Sequence, residues 1–505
     1  MTDSRKIRAK NNIVTSLISQ IIVLICGIII PRLMIDTFGS EAYGATSSIT
    51  QFLAYITLLE GGIGGVARAV LYKPLAQNDM QVISSIMKEI KRFFRVIAYI
   101  FAAYVFIIAV GFKSISHIEC MDWISTFILV LAISISTFGQ YFIGISYSIL
   151  LQAAQKSYIT NMISIGATVL NAVGIVLLIE LDCNIIVVKL VSSCIFFMRP
   201  VFLWLYVKKN YPSLKQKCDK KTVYLTQKWE GFGQHIAFFL HSNTDIAILT
   251  IMSDLTSVAV YSVYNMIISH MQSLAISFSS GMESIFGDML AHSETKELHD
   301  TFRTYETILS VVSIVLFSVA TVLIIPFVKL YTAGIEDADY LQPIFAVLMI
   351  ITALTYCLRL PYHSMVIAAG HFKQTSIAAY GEALINIVLS VVLVLNFDLI
   401  GVAIATLIAT WYRFIYYVIY LSKNIFSRKV QFFIKRFLIN VATFLLNCAI
   451  GYGIVMFLPQ NNYFSWALCG MLSVLVIGAA TLGINLIFFK SDCRVLIKKF
   501  IRNKS

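Results

Sequence analysis

Eight side chains fall within or beside long apolar stretches: Arg32, Glu60, Arg68, His241, Asp245, Glu283, Arg359 and Arg413. If those stretches cross a membrane, each charge costs several kcal/mol unless it is paired, hydrated or holding a ligand. The four arginines have the chemistry to hold a phosphate or carboxylate, because a guanidinium offers planar, paired donors at any physiological pH. His241 and Asp245 are four apart on one helix face, a spacing at which imidazole and carboxylate can share a proton or hold a cation with nearby hydroxyls. Glu283 is a further acid of the same kind.

Each of these positions also has a structural reading. Arg32 follows Pro31 and could sit at an outer interface, and Arg68 could snorkel to an inner one. Glu60 and Arg68 flank Gly61, Gly62, Gly64 and Gly65, a run weak as helix but suited to close helix packing. Arg359 lies one turn before His363 with Pro361 between them. Together with Arg413 it could form a buried ion pair with Glu382. His241 and Asp245 could be a hydrogen-bonded pair that only orients helices. Asn265, Ser269, Ser273, Ser277, Ser280 and Ser284 run along one face of their segment, which suits either a hydrated wall or small-residue packing.

The elements that position these residues follow from composition. The chain has 505 residues, is 58% hydrophobic and 13% charged, and has a mean hydropathy of +0.82, too apolar for a water-facing domain. Apolar segments recur near 12–35, 45–70, 95–112, 123–151, 158–180, 184–207, 229–252, 257–290, 305–328, 343–368, 375–396, 399–421, 436–458 and 463–489. The expected fold is therefore all-α and polytopic, with about 14 transmembrane helices. With alternating sides and span-edge residues counted with the adjoining loop, 31 of the 39 Lys and Arg fall on one side and only Lys113 and Lys329 on the other. The positive-inside rule makes the basic side cytoplasmic and puts both ends there. The first segment carries no cleavage site and reads as a span, not a removable signal.

Several function classes are excluded or made unattractive. The net charge of +13 is explained by topology, so no nucleic acid partner is expected. The nine Cys form no C-x-x-C pair, no phosphate-binding loop occurs, and neither a metal nor another cofactor is expected. A membrane-embedded glycan- or acyl-transfer enzyme would call for a clustered catalytic acid or His and a sizeable extramembrane loop, and neither is evident.

An internal repeat organises the chain. Shifting residues 152–208 by 215 positions places Ala153-Ala154 on Ala368-Ala369, Gly166 on Gly381, Asn171 on Asn386 and Lys208 on Lys423, and Tyr43 precedes Tyr261 by a similar interval. The expected layout is a six-helix lobe at 1–210, a basic linker at 211–228, a second six-helix lobe at 229–425, and two further helices with a basic tail at 426–505. Six spans per repeat gives both lobes one orientation, related by a pseudo-two-fold along the membrane normal, an arrangement suited to alternating access.

Asn12, Pro31-Arg32, Phe38-Gly39-Ser40-Glu41-Ala42-Tyr43-Gly44, Glu60-Gly61-Gly62 and Arg68 together resemble the N-terminal signature of bacterial polysaccharide-transporter flippases. These are the O-antigen and capsule repeat-unit flippases of the multidrug/oligosaccharidyl-lipid/polysaccharide exporter (MOP) superfamily. Related patterns continue at Thr244-Asp245-Ile246, Val258-Ala259-Val260-Tyr261 and Ala368-Ala369-Gly370. The resemblance implies two six-helix lobes in the bacterial inner membrane and an undecaprenyl-pyrophosphate-linked oligosaccharide as cargo. Membrane lipids would surround the protein, and the polysaccharide polymerase machinery would be its protein partner. It makes Arg32, Arg68, Arg359 and Arg413, with Glu60, candidates for substrate contact. His241, Asp245 and Glu283 become candidates for proton or sodium coupling. The eighth span lacks arginine, which points away from peptidoglycan precursor as cargo. A cation-coupled multidrug exporter of the same superfamily is the alternative.

Overall fold

A computed structural model of the chain describes residues 3–61, 63–215, 232–279, 282–292, 295–426 and 430–490. Among these residues the structure is helical without strands. Helix α1 spans Asp3–Phe38 and runs unbroken through Pro31. The second expected span is broken. Helix α2 (Ser40–Ala54) passes into a 3-10 turn at Tyr55–Glu60, Gly61 takes a left-handed φ of 54°, and α3 (Ile63–Gln77) leaves at a bend of 48°. Only a residue without Cβ adopts that φ cheaply.

Helix α4 (Met80–Ser116) starts well before its apolar stretch, because the Asp79 side chain accepts from the Val82 N–H at 3.0 Å and caps it. The fourth span is α5 (Trp123–Gly139) and α6 (Ile145–Ala153), joined by a π-turn at Gln140–Gly144. Helices α7 (Ser157–Glu180) and α8 (Ile185–Asn210) follow. The second half has α9 (Phe232–Met252), α10 (Leu255–Ser277), α11 (Met282–Ala291), α12 (Thr295–Tyr331), α13 (Pro343–Ala368) and α14 (Phe372–Asn424). Helices α15 (Gln431–Phe457) and α16 (Tyr463–Phe488) close the chain's described part.

The expected fourteen segments thus each fall on a helix or a broken helix. Ten helices among the described residues are long and apolar enough to cross a membrane, eleven if the bent α2–α3 pair counts as one. Helix α14 contains two of the expected segments: Asp398 has φ 45° and ψ −123°, and the chain folds back there. The pairing is antiparallel, with Glu382 bonded to Arg413, Asn386 to Thr406 at 2.8 Å, and Gly401 packed on the Leu393 backbone. The eighth expected span is interrupted between α10 and α11, a break its serines did not announce.

The chain divides into two compact units, Met1–Phe239 with Leu249–Ala259, and Leu240–Ile248 with Val260–Ser505. The repeat is visible in backbone geometry within each. In the first, Ala154, Gln155 and Lys156 donate to Leu150, Gln152 and Leu151, and in the second Ala369, Gly370 and His371 donate to Met365, Ile367 and Val366. Every donor and acceptor is displaced by the same 215 positions as the sequence match, and Gln155 (φ 58°) and Gly370 (φ 70°) share a left-handed turn.

Burial follows the membrane pattern: large apolar side chains point outward, as Phe457 at 88% and Leu475 at 70% exposure show, where hydrocarbon covers them. Polar groups turn inward and pair, as Asn447 does with Thr481 at 2.8 Å between α15 and α16. In the first unit, a Cβ added at Gly44 would lie 1.8 Å from the Leu255 carbonyl oxygen. Gly44→Ala must therefore push α2 off the start of α10, and about 1–3 kcal/mol of stability should be lost. A melting curve of the variant indistinguishable from that of the parent would contradict this packing.

Candidate functional site

Within the first unit, a cavity of about 570 Å³ is lined by residues of the 3-10 turn, α5, the π-turn, α7 and α8. Glu60 ends the 3-10 turn that the glycine run permits, and accepts a hydrogen bond from the Tyr141 hydroxyl. The π-turn carries Gln140 and Tyr141 and is marked by the Ile145 N–H donating to Gln140, five residues back. Arg199 enters from α8, donates from Nη2 to the Thr168 hydroxyl at 2.9 Å and lies 4.2 Å from the Phe196 ring centre. Carboxylate, guanidinium and neutral donors therefore share one enclosure.

The second unit holds Asp245 on α9, 5% exposed. Tyr261 donates to its Oδ2 at 2.9 Å, and the Thr406 hydroxyl lies 3.1 and 3.0 Å from its two oxygens. Asn386 donates to Thr406, which is also 3.0 Å from the Val402 carbonyl. The Asn386 Oδ1 and the nearby Ser390 hydroxyl are buried without hydrogen-bond partners. The cluster gathers hydroxyls, a backbone carbonyl and the Asn386 amide around one carboxylate, drawn from α9, α10 and both arms of α14. A carboxylate buried this deep is costly unless partner groups or a bound cation offset its charge.

Arg359 and Arg413 meet on Glu382, which is fully buried. Arg359 Nη1 is 2.5 Å from one carboxylate oxygen and Arg413 bonds the other. Arg413 also donates to the Tyr417 hydroxyl at 3.2 and 3.0 Å, and His363 Nδ1 is 3.3 Å from that same hydroxyl. The shared face of Arg359 and His363 is thus present, and the ion pair with Glu382 is the partner the residues find. Neither arginine lines the cavity of the first unit.

The other candidates are dispersed. Arg32 is 3.6 Å from Asp36 near the end of α1, and Arg68 donates to Gln152 at 2.7 Å, tying α3 to α6. No atom lies within 4 Å of a Cβ placed at Gly64 or Gly65, so these two glycines do not serve close packing. Glu283 is exposed in the first turn of α11 and is not among the hydrogen-bonding partners of Asp245. The His241 side chain lies outside the described residues, as do those of Ser280 and Ser284. Ser269, Ser273 and Ser277 donate to carbonyls of their own helix.

Sequence reasoning missed Arg436 and Glu306. They form a buried pair between α15 and α12, with Tyr362 donating to Glu306 at 2.5 Å. The pair lines a cavity of about 320 Å³ whose other walls are mostly aromatic and aliphatic, with Ser310 and Asn440 as further polar groups. Both sit at span edges, where a charge reads as a topology signal.

Residues 232–392, from α9 into α14, match the MatE family. Among solved structures, lipid II flippase MurJ in an inward closed conformation superposes with a TM-score of 0.66 at 16% identity, over 95% of this chain and 99% of that one. An inward-facing multidrug resistance MATE family transporter of the MOP superfamily gives 0.55 at 14% identity, over 79% of this chain and 94% of that one. The Vibrio cholerae MATE transporter VcmN gives 0.55 at 13% identity, over 84% and 99%. At these identities the likeness is one of fold. No curated protein matches the sequence.

Proposed function

We propose that this chain, with its MurJ and MATE fold and its MatE-like segment, is a MOP-superfamily transporter. Its cargo is an undecaprenyl-pyrophosphate-linked oligosaccharide, which it moves from the cytoplasmic to the outer leaflet of a bacterial inner membrane. The observation that carries the choice of cargo class is coverage. The lipid flippase superposes on nearly the whole chain, whereas the MATE structures, themselves almost fully matched, leave part of it without a counterpart. The absence of arginine from α10 and α11 supports a glycan other than peptidoglycan precursor.

The Asp245 cluster is the coupling site in this reading. Its single carboxylate, Thr406 hydroxyl and Val402 carbonyl suit a proton or a sodium ion, since hard cations take oxygen ligands. Cation binding would neutralise the buried charge and bind α9 to α14. Through that element, cation occupancy can bias which conformation is populated.

The reading is tested by deleting the gene in its host and comparing lipid-linked glycan in spheroplasts with surface polysaccharide. Accumulation of undecaprenyl-linked repeat units on the cytoplasmic leaflet, with surface glycan lost, is the expected outcome. Normal surface glycan with altered sensitivity to cationic drugs would replace the reading with the multidrug exporter.

A further inference from the structure

The cavity of the first unit contrasts with that of the second. The second is mostly apolar and its charged groups, Glu306 and Arg436, are paired with each other, while the first brings Glu60, Gln140, Tyr141, Thr160 and Arg199 to one space of about 570 Å³. That volume is within the roughly 300–1,000 Å³ of small-molecule sites. Among the described residues, no carboxylate lies within ion-pair distance of Arg199, and its Nε is buried without a hydrogen-bond partner. The Thr160 hydroxyl on the same wall is likewise buried and unpartnered. Arg199 is half-buried, and a guanidinium partly withdrawn from water without a directly paired carboxylate gains from a ligand anion.

Opposite charge is already in place. Glu60 accepts from the Tyr141 hydroxyl, and a carboxylate, with about four lone-pair sites, can accept from hydroxyls of a sugar ring alongside its protein partners. The π-turn aims Gln140 into the same space, and Gly144 makes room for it: a Cβ there would lie 2.5 Å from Gln140 Oε1.

We propose that this cavity binds an anionic saccharide, a hexose-sized ring bearing a carboxylate or a phosphate. Arg199 takes the anion, and Glu60 and Gln140 take the ring hydroxyls. The proposal deepens the transport reading and rests on it for the source of the sugar, which would be part of the glycan headgroup.

The test uses the full-length protein in nanodiscs, titrated with glucuronic acid, glucose 1-phosphate and glucose and read by saturation-transfer NMR. At least one anionic sugar is expected to bind, with glucose weaker by roughly ten- to a hundredfold, the worth of a charge-assisted hydrogen bond. Whichever anionic sugar binds more tightly identifies carboxylate or phosphate as the group recognised. Arg199→Gln should remove the preference for charge, Arg199→Lys should keep it, and Gly144→Ala should weaken all three sugars by displacing Gln140. Equal binding of glucose and both anionic sugars, no binding of either anionic sugar, or an Arg199→Gln variant that binds as the parent does would overturn the proposal. The comparison of charged and neutral sugar on the parent protein decides the matter even if Arg199→Gln does not fold. Binding of anionic sugar by a protein that leaves lipid-linked glycan on the inner leaflet would support the site and count against transport alone. Translocation without sugar binding would do the reverse.

Discussion

Replacing Glu382 with Ala is expected to cost about 3–5 kcal/mol of stability, because it strands two guanidiniums in a space from which water is excluded. Glu382 has no exposed surface, and Arg359 and Arg413 are 4% and 3% exposed. The carboxylate satisfies both arginines, one on each oxygen, so its loss leaves two like charges facing each other. Arg413→Met should be milder, since Arg359 and Glu382 would remain a neutral pair. The ranking is read from thermal melting of the purified variants, and a Glu382→Ala curve unchanged from the parent would mean that the triad does not hold α13 against both arms of α14.

Asp245→Asn is expected to reduce transport at least tenfold while leaving the protein folded. The substitution keeps size, and the amide oxygen can still accept from Tyr261 or Thr406, so packing of α9 against α14 survives. The charge that a proton or sodium ion would neutralise is gone, and with it the differential affinity through which a cation shifts a conformational equilibrium. Transport is measured by surface glycan in the deletion strain carrying each variant. Full restoration by the Asn variant would remove Asp245 from the coupling site.

Span positions were legible because an apolar stretch of about twenty residues has few other uses. Even the reversal at Asp398 falls between the segments expected at 375–396 and 399–421. The repeat was legible too, since the turn after α6 and the turn after α13 share one backbone conformation and the Ala-Ala pair that enters it, Ala153-Ala154 and Ala368-Ala369. The pairing of Arg359 and Arg413 with Glu382 could be named in advance, although sequence did not exclude a ligand in place of the carboxylate. The π-turn at Gln140–Gly144 was not legible, because a single extra residue in a helical turn leaves no periodic signal over five positions. The Glu306–Arg436 pair was hidden by the rule that succeeded elsewhere: a charge at a span edge is usually a topology marker, and here tertiary packing buries it. The glycine run showed that α2–α3 would be weak, yet whether it packs or breaks depends on neighbours that sequence does not display.

The most direct measurement is reconstitution of the purified protein into liposomes with the lipid-linked glycan recovered from the deletion strain. Exposure of the glycan to an impermeant external reagent is followed over time, with and without a proton or sodium gradient. The expected result is protein-dependent transfer of inner-leaflet glycan to the reagent, accelerated by one of the two gradients and strongly reduced with Asp245→Asn. Glycan that stays protected in parent proteoliposomes as it does in protein-free ones, under both gradients, would contradict the transport of lipid-linked oligosaccharide by this fold.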